Sequence, residues 1–337
     1  MEKLNGKNII ARARERLQGV NTQSLVLLHT GVTVGAAFVI MLLQYLLAEG
    51  IGHTGGLSGM GMRSVLETAQ LVLQWANTLL LPFWSLGFLY VALLWAREAQ
   101  ADKRDLLAGF RRVGPYLGLM LNRAILTILV LVVSINISSV IYMMTPAADR
   151  ILELAENFGD TDQMYDYLYS LDMDQIMVLL RSMIPMMVIG CVLASVLLIP
   201  LLYRFRMAEY VILDQKGVRG IGAMILSAAL LRRRRWQLFK LDLRFWWYYG
   251  LKLLCTVLLY GDMILEALGV GLPVGSGMAY VLTYVLYLGG LFAVEISFRP
   301  RVETAYACAY EQLKEMNPIE KKIVPAKPQN MPWNTEE

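Results

Sequence analysis

Charge is scarce in this chain. Asp, Glu, Lys and Arg supply 17% of its 337 residues, where a soluble domain carries about 25%. Histidine occurs only as His29 and His53, and cysteine only as Cys191, Cys255 and Cys308. No cysteine pair has CxxC spacing and neither histidine lies near a cysteine, so a zinc site or disulfide framework is not expected. The chain has no HExxH, no GxSxG, no Walker loop and no His/Asp pair inside an apolar run. The usual means of hydrolysis and phosphoryl transfer are therefore missing. No catalytic residue, metal or cofactor is expected.

What the chain has in quantity is apolar sequence, at 57% of residues. It is gathered into six runs near 24–48, 69–96, 117–144, 178–203, 245–266 and 278–298. Each reaches the roughly 20 residues that a helix rising 1.5 Å per residue needs to cross a bilayer. The first run is too long for a cleaved signal segment, whose apolar region is about 7–15 residues, and reads as a retained span. The stretches between runs alternate in basic content. Segment 1–23 carries Lys3, Lys7, Arg12, Arg14 and Arg16; 49–68 has Arg63 alone. Loop 97–116 has five basic residues, while 145–177 has Arg150 against eight acids. Loop 204–244 has ten, 267–277 none, and the tail after Phe298 six. Lys and Arg accumulate on the cytoplasmic side, so the pattern predicts six spans with both termini in the cytoplasm of a plasma membrane. Trp95 and the run Trp246–Tyr249 read as inner aromatic anchors, and Pro82 as a kink.

The polar segments add detail. Ile9, Ile10, Ala13, Leu17 and Val20 share one helical face, with Arg12, Arg14 and Arg16 largely elsewhere, so 1–23 reads as a basic amphipathic helix on the inner leaflet. The acidic stretch Asp160–Asp166 lacks the central Gly and closing Glu of a calcium loop and reads as solvated. Gly50–Gly61 reads as a flexible external loop. Four prolines after residue 317 and little apolar periodicity make the tail a disordered extension. The overall excess of basic residues sits beside spans, where orientation accounts for it, so no nucleic acid is expected as a partner.

Two groups of charge are candidate sites. Arg123, Lys252 and Glu295 lie inside apolar runs, each about one to two turns from the inner end. Intramembrane charge is costly and marks function by default, yet long basic side chains reach water from that depth. The three read as a snorkelling or ion-paired cluster, as an anion vestibule open to the cytoplasm, or as proton-coupling groups. Asp262 and Glu266, at the outer end of the fifth run, read as a wet face. The run Arg232, Arg233, Arg234 and Arg235 reads as an anionic-lipid contact or as an orientation signal.

Three stretches carry a family likeness: Asp105–Arg112 with Tyr116-Leu-Gly-Leu; Tyr203–Asp214 with Ala223–Ser227 and Trp236–Leu243; and Glu303–Tyr310. Together they resemble the bacterial integral membrane family called domain of unknown function 975, over roughly residues 20–315. That family is similar in layout to the membrane domain of some glycerophosphodiester phosphodiesterases. The chain departs from the pattern at Gln215-Lys-Gly217 and at Arg232–Arg235. The resemblance implies a six-span bacterial plasma-membrane protein and brings no catalytic residues. The expectation is an all-α polytopic membrane protein of six spans with short amphipathic cytoplasmic helices. Residues 1–23 form its basic segment, 24–300 its membrane domain and 301–337 its cytoplasmic tail. Its expected role is to bind lipid, including anionic head groups, or a membrane protein partner, in support of export or envelope maintenance. The alternative is a small transporter using the vestibule.

Overall fold

The computed structural model describes residues 5–18, 20, 22–53, 60–149, 172–261 and 276–316. The acidic stretch 150–171, residues 54–59 of the glycine-rich loop, residues 262–275 with Asp262 and Glu266, and the tail 317–337 lie outside these.

The described residues are helical, with no strand among them. In chain order the helices are α1 (Gly6–Leu17), α2 (Gln23–His53), α3 (Met60–Ala96), a 3₁₀ helix (Lys103–Arg112), α4 (Val113–Met143) and a 3₁₀ turn (Pro146–Ala148). Then follow α5 (Met173–Arg204), α6 (Ala208–Asp214), α7 (Gly220–Leu230), α8 (Arg235–Arg244), α9 (Trp246–Leu259) and α10 (Ser276–Met316). Five segments are long and apolar enough to cross a membrane: Gln23–Leu47, Arg63–Ala96, Lys103–Met143, Arg181–Asp214 and Val281–Met316. The run 245–266, read as the fifth of six spans, is among the described residues the 14-residue helix α9.

The chain divides into two compact units. One is the inserted segment 117–206, an antiparallel pair of α4 and α5. Tyr142 donates from its hydroxyl to the Ser182 carbonyl at 2.9 Å, and Arg123 donates to the Phe205 carbonyl at 2.7 Å. Between these stitches Ser138 and Gly190 approach so closely that a Cβ on Gly190 would lie 3.1 Å from the serine hydroxyl. Most other side chains of the pair, Ile128, Leu129, Val192 and Val196 among them, are exposed and apolar.

The other unit is made of 1–116 and 207–337, and α3 shows its plan. Val72, Trp75 and Leu80 are exposed, at 63%, 63% and 55%. From Phe83 to Ala96 the same helix turns into a protein core, with Leu86, Phe88, Val91, Leu93 and Trp95 at 0%. Pro82 sits at the changeover, inside a continuous helix. The lower half of α10 matches it: Val302, Ala305–Tyr310 and Leu313 are buried. Between them pack the start of α2, the 3₁₀ helix, α6 and α1. The 3₁₀ helix lies so close to α3 that a Cβ on Gly87 would land on the Leu106 carbonyl, and one on Gly109 on the Phe83 carbonyl. Only glycine allows that approach.

Two expectations are corrected here. Trp95 is no interfacial anchor: it is buried beside Phe88, ring centroids 5.9 Å apart. Helix α1 does not offer its apolar face to a leaflet. Ile9 and Ala13 are buried as α1 packs along α10, and Arg16 pairs with Glu98 beyond the end of α3.

Candidate functional site

Helices α9 and α10 run side by side, so residues a turn apart on each face the same space. Glu295 of α10 is buried. Its Oε1 lies 2.6 Å from Lys252 Nζ and accepts from the Tyr248 hydroxyl at 3.2 Å. Its Oε2 lies 3.3 Å from Nη1 of Arg299, one turn further along α10, as an ion pair without hydrogen-bond alignment. Two cations thus flank one carboxylate. Lys252 is the open side: its side chain is 39% exposed and its ammonium stands 5.2 Å from the Tyr248 ring centre.

The cluster continues inward through aromatic rings. The Arg299 guanidinium lies 5.0 Å from the Phe88 ring centre. Phe88 meets His29 at 4.7 Å, and His29 stacks on Trp84 at 5.5 Å. The Trp84 indole donates to the His29 carbonyl at 3.1 Å, while both imidazole nitrogens are buried without a hydrogen-bond partner. Lys252 and Glu295 were named from the sequence. Arg299, Tyr248 and His29 were not assigned to a site. Arg299 stands four residues after Glu295 on a continuous helix, which was the available signal. Arg123 belongs to the α4–α5 unit, where its guanidinium meets a carbonyl just past the end of α5. A cation there satisfies an end carbonyl and complements the helix dipole.

The arginine run forms the turn between α7 and α8. Arg232, Arg233 and Arg235 are exposed, and none of the four arginines has an ion-pair partner among the described residues. Arg233 holds φ at +65°, a conformation costing a side-chain-bearing residue on the order of 1 kcal/mol. Trp236, 64% exposed, follows directly, with the Lys240 ammonium 6.0 Å from its ring centre.

A third cluster binds the far end of the core and escaped the sequence reading. Arg97, just past α3, places Nη2 2.5 Å from Asp214 Oδ1 of α6 and Nε 2.6 Å from Glu311 Oε1 of α10. Asp214 Oδ2 accepts from Lys314 at 2.7 Å and from Tyr310 at 3.0 Å. Burial works against the Asp214 carboxylate, but its bonds to Lys314 and Arg97 hold its pKa below the ordinary value. Burial likewise opposes the Arg97 charge, and Asp214 and Glu311 more than offset it. Nearby, burial pushes the Cys308 thiol up to about 11 despite Arg12 and Arg16, which leaves it unreactive at neutral pH. No metal-type ligand group gathers among the described residues.

Comparison with family models, curated proteins and solved structures finds no match for the chain.

Proposed function

We propose that the chain is a six-span protein of the bacterial plasma membrane, with both termini in the cytoplasm. In this reading it catalyses no reaction and binds anionic lipid head groups, or a membrane partner that presents the same charge, in support of export or envelope maintenance. The carrying observation is the turn at Arg232–Arg235: three exposed arginines and a half-buried fourth, without carboxylate partners among the described residues, one of them at a positive φ that glycine would hold more easily, beside an exposed tryptophan. Strain of this kind persists where a side chain is wanted at that point.

The changeover in α3 supports an inner-side position for the core. The exposed stretch 68–82, which follows the exposed Arg63–Glu67 ion pair, is about 22 Å long, most of a bilayer's roughly 30 Å of hydrocarbon. The segment packed against the rest carries Lys103, Arg104, Arg111 and Arg112, which belong outside hydrocarbon. The spans therefore end near Phe83 and Arg299, and a helical core follows on the cytoplasmic side.

A second reading, transport through an anion vestibule, draws on the Lys252–Glu295–Arg299 cluster, which carries one excess positive charge and is open at Lys252. The lipid reading is tested in nanodiscs containing phosphatidylglycerol and phosphatidylcholine. Changing Arg232–Arg235 to Gln is expected to lower phosphatidylglycerol retention by about 1 kcal/mol per charge at low salt. Retention unchanged by the substitution reduces the run to an orientation signal.

A further inference from the structure

The 3₁₀ helix Lys103–Arg112 carries an unclaimed surface. Its start is fixed by a reciprocal cap: the Asp102 side chain accepts from the Lys103 backbone at 2.7 Å, and Asp105 accepts from the Asp102 backbone at 2.8 Å. A 3₁₀ helix has three residues per turn, so residues three apart eclipse one another. Arg104, Leu107 and Phe110 therefore form one straight line, and Val113 follows it at the start of α4. In an α-helix each would be displaced by about 60° from the one before. All four are exposed, Leu107 by 48% and Phe110 by 38%. The neighbouring line, Leu106 and Gly109, is buried against α3. The helix is thus locked to α3 by its glycine side and shows Leu107 outward, with Phe110 half-exposed beside Phe83 of α3.

Basic residues flank that line. Lys103, Arg104, Arg111 and Arg112 have no ion-pair partner among the described residues, while Asp102 and Asp105 are engaged in the cap. The depth is set by contact. Phe110 and Tyr116 meet Phe83 with ring centres 5.9 and 5.4 Å apart, and Phe83 is where α3 passes from exposed apolar surface into the core.

We propose that this helix is a second lipid contact, separate from Arg232–Arg235: an interfacial anchor with Leu107, Phe110 and Val113 in the acyl boundary and the four cations among anionic head groups. It rests on the orientation proposed above. An amphipathic helix of this type sits about 5–10 Å into the head-group and acyl boundary.

The test uses the full chain in nanodiscs with Cys191, Cys255 and Cys308 changed to Ala, after thermal profiles are matched to wild type. An environment-sensitive fluorophore is placed at Leu107→Cys, Phe110→Cys or Lys216→Cys and challenged with lipid bearing a shallow spin label. Lys216 is exposed two residues past Asp214, at the far end of the core. Positions 107 and 110 are expected to lose most of their emission and 216 none, with weaker quenching at 107 and 110 in discs lacking phosphatidylglycerol. Emission at 107 and 110 matching that at 216 overturns the anchor. Quenching indifferent to phosphatidylglycerol overturns its preference for anionic lipid. Quenching at 216 refutes the orientation itself, so the two readings fail by different signals. Changing Arg232–Arg235 to Gln is expected to leave quenching at 107 and 110 intact; its loss in that variant overturns the independence of the two contacts.

Discussion

Replacing Glu295 with Gln removes the negative charge that lies between Lys252 and Arg299. Glu295 is buried, and its oxygens lie 2.6 Å from Lys252 and 3.3 Å from Arg299. Gln retains an acceptor for Tyr248 but leaves Lys252 and Arg299 facing each other across a neutral amide. Removing one member of a buried ion pair costs about 3–5 kcal/mol. The lower end applies here, because the Lys252 side chain is 39% exposed and turns to solvent when released. A loss of about 3 kcal/mol lowers Tm by about 6–12 °C, at 2–4 °C per kcal/mol for a domain of this size. The assay is thermal unfolding in detergent, read by tryptophan emission. Lys252→Met in the Gln background is expected to recover part of the loss, since one of the two uncompensated charges is then gone. A Gln variant melting with the wild type refutes the ion-pair account. So does a double variant that melts below the single one. If the cluster instead carries an anion, the single substitutions abolish vesicle uptake while Tm stays nearly unchanged, and the melting curve separates the cases.

Asp214→Asn is expected to cost about 2–4 kcal/mol, since it strips the buried partner of Arg97 and Lys314. Because the folded-state pKa of Asp214 is depressed, its stabilisation is full above the unfolded value of 3.8 and is lost as pH falls below it. An acid-unfolding profile with the same steepness in the Asn variant contradicts this. Gly87→Ala is expected to destabilise by about 1–3 kcal/mol or more by driving a methyl into the Leu106 carbonyl. Gly35→Ala, where an added Cβ meets nothing, is expected to be neutral or to stabilise by up to about 1 kcal/mol; equal losses at both positions count against the close packing. Single cysteines at Lys103 or Arg219, in the background without native cysteines, are expected to react with an impermeant thiol reagent only after cells are permeabilised. Labelling in intact cells inverts the orientation.

The long apolar helices were legible in the sequence because length and hydropathy decide them with no knowledge of neighbours. The points where they pass into the protein core were not. Phe83–Ala96 is as apolar as the stretch before it, so composition carries the run through to Trp95, and only the packing of the 3₁₀ helix and α10 shows that protein surrounds those residues. Lys252 and Glu295 were found because charge inside an apolar run stands out. Arg299 was passed over because it follows Phe298, where the run had been ended. The Arg97–Asp214–Glu311 network was invisible for another reason: its members look like ordinary loop charges, and their meeting depends on three helices distant in the chain. The outward line of the 3₁₀ helix was missed because its period is three, not the 3.6 of an α-helix.

The division of the chain has a consequence for its synthesis. The larger unit is interrupted by residues 117–206, so the buried face of α3 is made long before the part of its covering that α6 and α10 supply. The partners of Arg97 lie 117 and 214 residues downstream. Until α6 and then α10 leave the ribosome, Phe88, Val91 and Trp95 are covered only by the start of α2 and the 3₁₀ helix. Folding that waits on such remote segments is slow and exposes apolar surface to misassembly. A nascent chain arrested after α5 should therefore hold chaperones, and release should await the last helix.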